Sequence, residues 1–292
     1  MIDNTLKTYA KHFEETVSPL WESEPTEYSV LYDACKYSLL LGGKRLRPFL
    51  VNAFYKLCGG KDDASLNFEL AIECIHTYSL IHDDLPFMDD DDMRRGKPAC
   101  HIQFGNANAL LAGDALLTKA FSFAAQTKGV NPKNVLEAIT VLSDCSGIDG
   151  MIGGQVIDLL YEDKAANEFI LEKICSLKTG ALIKAACLIG AILADATAEQ
   201  RTAAQSFAEK LGLAFQITDD ILDVVGNQEK LGKPVGSDRD NDKSTFVSVF
   251  GIEKAKSLAN ELTQRAKDSL NIFGQAAAPL SDLADFLCTR DY

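Results

Sequence analysis

The stretch ELAIECIHTYSLIHDDLPFMDDDDMRRGKP, residues 69–98, joins an apolar helical pattern to a cluster of aspartates. Apolar residues in its first half recur at spacings of three and four, which is typical of an α-helix. Pro86 disfavours helix at the residue before it, so the helix should end at Asp83 and Asp84. Asp89 must then return through the loop LPFM. Carboxylates packed this closely raise one another's pKa or require a cation.

Helical spacing recurs along the rest of the chain, and strand-like alternation is scarce. The sequence therefore predicts an all-α fold. With 47% hydrophobic residues and no Pro/Gly/Ser-rich linker, we expect a single domain over residues 1–292. Asn131 before Pro132 and the pair Thr197 and Gln200 are helix-start patterns. The predicted helices are 28–41, 62–84, 106–127, 132–145, 149–161, 167–193, 198–225 and 252–272, with loops over 85–105 and 226–243.

A second acidic cluster, FQITDDILD, occupies residues 215–223. Helical geometry places its three aspartates, Asp219, Asp220 and Asp223, on one face, with Gln216 one turn earlier. A solvated acidic face is the simplest interpretation of such a run. The apolar flanks favour a cavity wall instead. Mg²⁺ typically binds one or two carboxylates together with substrate phosphates, so two such clusters predict a metal-dependent diphosphate site.

The formal net charge of −13 and the pI of about 4.8 argue against a nucleic-acid partner. The basic residues are nevertheless clustered: Lys44, Arg45 and Arg47 follow two glycines, and Arg94 and Arg95 follow the first aspartates. Isolated lysines are usually ordinary surface residues. Beside two acidic clusters, they fit a pocket for two diphosphates. The sequence has neither a phosphate-binding G-x-x-x-x-G-K-[ST] loop nor an EF-hand pattern.

The eight cysteines show no C-x-x-C pair or metal-ligand spacing, which indicates reduced thiols and a cytoplasmic protein. The N-terminal residues lack an apolar signal-peptide core. The most apolar stretch, 181–194, is interrupted by Lys184 and is too short to span a bilayer. We therefore expect no integral membrane segment.

Seven motifs, in this order, resemble the trans-prenyltransferases (isoprenyl diphosphate synthases), and most of all their bacterial farnesyl diphosphate synthase type. The resemblance covers almost the whole chain, and the ordered set is far more specific than any single motif. The motifs are GGKRLRP (42–48), ECIHTYSLIHDDLPFMDDDDMRRGKP (73–98), FGNANALLAGDAL (104–116), GGQVIDL (153–159), LKTGAL (177–182), FQITDDILD (215–223) and GKPVGSDRDNDKST (232–245).

The resemblance implies a bundle of about ten or more helices around a deep cavity, a homodimer, and three Mg²⁺ held against an allylic diphosphate. The matching metal-binding residues are Asp83, Asp84, Asp89, Asp219, Asp220 and Asp223. The residues that match the isopentenyl diphosphate site are Lys44, Arg47, His76 and Arg95. The residues that match the allylic site are Arg94, Lys178, Thr179, Gln216, Lys233 and Lys243. Those with a catalytic role are Asp83, Asp84, Asp89, Lys178, Thr179, Gln216 and Asp219.

The implied reaction joins isopentenyl diphosphate to dimethylallyl and then geranyl diphosphate, giving farnesyl diphosphate. In this family, bulk at the fourth and fifth positions before the first aspartate limits product length, and here these are Ser79 and Tyr78. A geranyl or geranylgeranyl diphosphate synthase is the main alternative. A terpene cyclase, a non-catalytic prenyltransferase subunit and a Ca²⁺- or Mg²⁺-binding helical protein are further alternatives.

Overall fold

The computed structural model describes residues 2–22, 25–162, 164–225 and 244–289. The chain divides into two compact units, one built mainly from residues 3–52 and 63–129 and the other from 53–62 and 130–292. The expectation of a single domain stays a prediction. Throughout the described residues, the only β-structure is one pair of two-residue strands, so the predicted all-α class is confirmed.

The first unit is organised around a long buried helix that ends at the first aspartates. This helix, α4 (Leu66–Asp83), packs against α6 (Asn106–Ala125) and α2 (Ser29–Leu39). Its side chains Phe68, Ile72 and Ile75 are fully buried, and it stops at Asp83, ahead of Pro86, as predicted. The helices of the first unit are α1 (Ile2–Val17), α2 (Ser29–Leu39), the start of α3 (Leu46–Leu57), α4 (Leu66–Asp83), α5 (Cys100–Phe104) and α6 (Asn106–Ala125), with a 3₁₀ turn at Ser18–Trp21.

The segment 85–105 is not a loop throughout, and in this respect the sequence prediction was wrong. Strand β1 (Met93–Arg94) pairs antiparallel with β2 (Lys97–Pro98), and helix α5 follows directly. The two residues between the strands, Arg95 and Gly96, have φ values of 53° and 75°. Positive φ at both central positions is the backbone geometry of a tight two-residue hairpin turn.

The second unit contains the other described helices. One of them is continuous from Glu168 to Leu193, and it widens into a π-helical turn at Cys175–Gly180. Asn131 caps α7, and Thr197 and Gln200 exchange the two hydrogen bonds of a capping box, both as predicted. The helices of the second unit are α7 (Pro132–Ser146), α8 (Met151–Leu160), α9 (Glu168–Ile174), α10 (Ala181–Leu193), α11 (Ala198–Val225), α12 (Phe246–Phe250), α13 (Ile252–Ser269) and α14 (Ala278–Thr289), with a 3₁₀ turn at Asn271–Ala277.

The helix Glu168–Leu193 has 26 residues and a mean hydropathy of 1.6, so by length and composition it could cross a membrane. The sequence argument from shortness was therefore incomplete. Burial decides the matter better than length, because 67% of its most apolar stretch lies inside the protein. That extent of burial favours a core helix.

Candidate active site

A glycine turn in the first unit carries predicted diphosphate-binding residues. Gly42 and Gly43 have φ values of 96° and 118°. These two glycines turn the chain after the end of α2, and Lys44 and Arg47 follow them. The guanidinium of Arg95 lies against this turn and donates a hydrogen bond to the carbonyl oxygen of Gly42. A Cβ added at Gly43 would lie 2.7 Å from Cζ of Arg95, so only glycine allows this approach.

The same region holds a concentration of positive charge around His76 of α4. Burial holds the pKa of His76 well below its usual value, and Arg47 and Arg95 lower it further. Burial also lowers the pKa of Arg47 to about 10, with Arg95 acting in the same direction and Glu73 against it. Nε of Arg47 is buried and, among the described residues, has no hydrogen-bond partner. A cationic pocket with an unused donor is suited to an anion with several oxygens.

The first aspartate cluster surrounds the end of α4. Asp84 is buried and forms an ion pair with Arg94, whose Nε lies 3.0 Å from Oδ1 and 3.2 Å from Oδ2. Burial raises the pKa of the Asp84 carboxyl, and the ion pair with Arg94 opposes this. The backbone N–H of Asp89 donates to the carbonyl oxygen of Asp83 at 2.8 Å. The loop therefore brings the backbone of Asp89 back beside Asp83, as expected.

Tyr78 and Ser79 lie one turn earlier on α4. Tyr78 is 5% exposed, its hydroxyl is buried without a hydrogen-bond partner in the described structure, and burial followed by Asp83 raises its pKa to about 12. Its ring meets that of His82 edge-on at 5.7 Å. The Ser79 hydroxyl donates to the His76 carbonyl oxygen at 2.9 Å. Tyr78 is thus the large buried side chain on this turn.

In the second unit, a chain of hydrogen bonds joins three predicted site residues. The Thr179 hydroxyl donates to Oε1 of Gln216 at 3.1 Å, and Nε2 of Gln216 donates to Oδ1 of Asp220 at 3.1 Å. The other carboxylate oxygen of Asp220 accepts the backbone N–H of Phe246 at 2.8 Å. Lys178, next to Thr179, forms an ion pair of 2.6 Å with Asp158 of α8.

Lys178 and Thr179 lie in the π-helical turn, which neighbouring helices approach closely through glycine. A Cβ added at Gly154 of α8 would lie 2.2 Å from the backbone nitrogen of Lys178. A Cβ at Gly212 of α11 would lie 3.0 Å from Cα of Gly180. Single π-helical turns inside α-helices are frequent at functional sites. The two glycines allow α8 and α11 to pack closely against this one.

The donor chemistry of both acidic clusters fits Mg²⁺. Among the described residues, no three or more His, Cys, Asp or Glu side chains converge in a way that would hold a metal ion by themselves. Such a pattern is compatible with Mg²⁺, which usually takes few protein ligands and completes its shell with phosphate and water. Asp83 belongs to the first unit and Asp219 to the second, and their joint action stays a prediction. Lys233 and Lys243 lie outside the described residues.

Three acidic residues with direct ion pairs to site cations or their neighbours were missed by the sequence reasoning. Asp158 pairs with Lys178, while Glu14 and Glu73 both pair with Arg45. The spacing of Gln155 and Asp158 in GGQVIDL places both on one face of α8, which was an available signal for Asp158. Glu14 and Glu73 carry no such signal, because their partner is distant in the sequence.

Comparison with known proteins shows the family of this chain. Residues 28–277 match the family model of the polyprenyl synthetases. The chain is 43% identical to farnesyl diphosphate synthase of Escherichia coli (strain K12), over 98% of both chains. It is 44% identical to geranylgeranyl diphosphate synthase of Cyanophora paradoxa, over 89% of this chain and 88% of that one.

Among solved structures, it resembles an FPP/GFPP synthase from Zymomonas mobilis, with a TM-score of 0.87, 38% identity, and coverage of 99% of this chain and 100% of that one. The family model covers most of the chain, and both of these relatives exceed 40% identity over at least 88% of each chain. The chain belongs to the polyprenyl synthetase family and is a prenyltransferase.

Proposed function

We propose that this prenyltransferase catalyses the Mg²⁺-dependent, head-to-tail condensation of isopentenyl diphosphate with dimethylallyl and geranyl diphosphates. The products are farnesyl diphosphate, with fifteen carbons, and pyrophosphate. The family membership supports diphosphate substrates and prenyl transfer. The choice of primer, the metal and the product length are inferred from the residues of the site.

The cationic pocket around His76 carries the proposal. A condensing enzyme must bind a second diphosphate besides the one that leaves, whereas a terpene cyclase needs only one. Arg47, which is half-buried, and Arg95, which is exposed, provide positive charge apart from the aspartates. Burial lowers the pKa of His76, which favours its neutral form. A neutral imidazole can donate a hydrogen bond to a phosphate oxygen without adding further charge repulsion to the pocket.

The two acidic clusters would hold the metal, with Asp83, Asp84 and Asp89 on one side and Asp219, Asp220 and Asp223 on the other. When bound, Mg²⁺ stabilises the negative charge that develops on the leaving diphosphate. Three ions per site is the number implied by the resemblance. Arg94, Lys178, Lys233 and Lys243 are proposed to neutralise the same diphosphate.

Thr179, Gln216 and the carbonyl of Lys178 are proposed to face the allylic carbocation. The Thr179 hydrogen is donated to Gln216, so the lone pairs of its oxygen remain for the positive charge. Asp220 in turn holds the Gln216 amide in place. The isopentenyl double bond attacks C1 of the allylic group, and the proton lost afterwards leaves with the diphosphate. Exclusion of water prevents capture of the cation as an alcohol.

Turnover of isopentenyl and dimethylallyl diphosphates, measured with and without EDTA, tests the proposal. Asp83→Ala and Asp219→Ala should each lower kcat by about 10²–10³-fold, because each removes charge from the reacting centre. Asp144→Ala, at an exposed position of α7, is the matched control. Turnover by the purified chain alone would also reject a non-catalytic subunit and a simple cation-binding protein. Near-normal turnover of Asp83→Ala would contradict the metal assignment.

Tyr78 is proposed to limit the product to fifteen carbons. Relatives named as farnesyl and as geranylgeranyl diphosphate synthases are about equally similar to this chain. We therefore infer the product length from the size of the Tyr78 side chain. Tyr78→Ala should shift the product distribution to longer chains, whereas Tyr78→Phe keeps the bulk and should keep fifteen carbons. Chromatography of dephosphorylated products is the measurement. A Tyr78→Ala enzyme that still makes only the fifteen-carbon product would refute the role of Tyr78.

We further propose a cytoplasmic homodimer. All eight cysteines are free thiols, which agrees with a reducing compartment. Helix α6 leaves Leu110 41% and Leu111 52% exposed, an apolar surface suited to a partner subunit. Light scattering coupled to size-exclusion chromatography measures the assembly, and a monomer at micromolar concentration would refute it.

A further inference from the structure

Arg45 differs from the other cations of the glycine turn. Its side chain is fully buried, with 0% exposure, and its φ of 48° places the backbone in the left-handed region that a non-glycine residue rarely adopts. Such a conformation persists only where surrounding contacts hold it. The sequence grouped Arg45 with Lys44 and Arg47 as a possible phosphate contact, and the structure separates it from them.

Each of the three guanidinium nitrogens of Arg45 donates a hydrogen bond to a carboxylate. Its Nε and Nη2 donate to Oε1 of Glu14 on α1 at 3.0 and 2.6 Å. Its Nη1 donates to Oε1 of Glu73 on α4 at 2.7 Å. Glu73 is 3% exposed and Glu14 is at the edge of the protein, with its side chain 32% exposed. Arg45 therefore ties two helices to the turn that carries the isopentenyl site.

This ion-pair group also affects the charge of the pocket. Glu73 lies one turn before His76 on α4, and its carboxylate opposes the lowering of the pKa of Arg47 and of Arg95 by burial. Arg45 and its two partners carry a net charge of −1, which offsets part of the repulsion among the pocket cations. Buried ion pairs are often replaceable by apolar residues without loss of stability, so stability alone does not explain this group.

We propose that Arg45 is a positioning residue of the isopentenyl diphosphate site. Its ion pairs with Glu14 and Glu73 hold Arg45 in its left-handed conformation at the end of the turn 42–45. Lys44 in this turn and Arg47 at the start of α3 are thereby in place before substrate arrives. Glu73 supplies the counter-charge that lets the neighbouring arginines lie close together. This inference rests on the proposed function, in which the pocket binds the non-allylic diphosphate.

The test compares Arg45→Lys and Arg45→Met by steady-state kinetics with both substrates. A lysine can keep one ion pair but cannot donate to both glutamates as the guanidinium does, so Arg45→Lys is the milder variant. We expect it to remain folded, which circular dichroism checks. The KM for isopentenyl diphosphate should rise by about tenfold or more in both variants. The kcat and the KM for dimethylallyl diphosphate should stay within about twofold, because the allylic residues are untouched.

A second variant separates positioning from stability. Arg45→Met combined with Glu73→Gln removes the buried charge that the single change leaves unpaired, whereas Glu14 is 32% exposed and stays in contact with water. The melting temperature of the double variant should therefore recover towards that of the original protein. The KM for isopentenyl diphosphate should stay high, since the turn still lacks the guanidinium of Arg45. A KM that returns together with the melting temperature would overturn the proposal, as would an equal change in both KM values.

Arg47→Met distinguishes failure of this inference from failure of the proposed function. If Arg47→Met raises the KM for isopentenyl diphosphate and the Arg45 variants do not, the pocket is assigned correctly and the positioning role is wrong. If none of these variants changes that KM, the pocket does not bind isopentenyl diphosphate, and both proposals fail.

Discussion

The close approach of α8 to the π-helical turn gives the sharpest prediction, which is that Gly154→Ala inactivates the enzyme without unfolding it. The new Cβ would lie 2.2 Å from the backbone nitrogen of Lys178 and 2.7 Å from its Cα, where ordinary contact begins at 3.4 Å. The backbone atoms cannot rotate away as a flexible side chain would. The turn that carries Lys178 and Thr179 must therefore move by about 1 Å, because 2.2 Å is that much shorter than an ordinary contact of 3.4 Å.

A displacement of about 1 Å at groups that position a substrate costs on the order of 10²-fold in rate. Overpacking costs about 1–3 kcal/mol of stability, and the gain of up to about 1 kcal/mol for alanine over glycine in a helix offsets part of it. We therefore expect kcat to fall about 100-fold in Gly154→Ala, while urea unfolding shows a loss of about 2 kcal/mol or less. Steady-state kinetics with both substrates and urea titration provide the two measurements.

Two further variants make this prediction specific. Ile152→Ala changes a 43% exposed side chain of the same helix and should leave kcat within about twofold. Gly212→Ala would place a Cβ 3.0 Å from Cα of Gly180, a shortfall of only 0.4 Å, so its effect should be intermediate. A folded Gly154→Ala enzyme with normal kinetics would refute the reasoning. A larger effect from Gly212→Ala than from Gly154→Ala would also refute it.

Two other predictions concern stability. Asp220→Asn weakens the oxygen acceptors of two hydrogen bonds, those from the Gln216 amide and the Phe246 N–H. Because the Asp220 side chain is only 5% exposed, the free energy of unfolding should fall by about 1–3 kcal/mol in urea titrations at pH 7. An unchanged midpoint would contradict this. For His76, the pKa in the folded protein lies below the reference value of 6.5, so the unfolded chain binds more protons as the pH falls through about 6.5. Stability should then decrease with falling pH, by up to about 1.4 kcal/mol per pH unit from this group. His76→Gln should flatten the dependence between pH 7.5 and 5.5, whereas His12→Gln, at an exposed position of α1, should not; equal slopes for the two variants would count against a neutral His76.

Long helices were predictable because their apolar spacing and caps are local signals. The range 132–145 closely matches α7 (Pro132–Ser146), and 198–225 matches α11. The helix predicted over 62–84 begins later, at Leu66, since Asp62 has a φ of 56° that cannot continue a right-handed helix. The hairpin at 93–98 and the five-residue α5 were missed because elements this short show no periodicity.

Site residues on one helix were also predictable, as the face formed by Gln216 and Asp220 shows. Contacts between distant residues were not. Asp158 meets Lys178 from 20 positions away, and Glu14 meets Arg45 from 31 positions away. Spacing rules describe one helix at a time, so such partners emerge only when helices pack together.

The hydrogen bond from the Phe246 N–H to Asp220 joins two positions that are 26 residues apart, on either side of the connection 226–243. It ties the C-terminal part of α11 directly to Phe246, the first residue of α12. The carboxylate of Asp220 therefore has two tasks, because it holds the start of α12 as well as the Gln216 side chain of the proposed site.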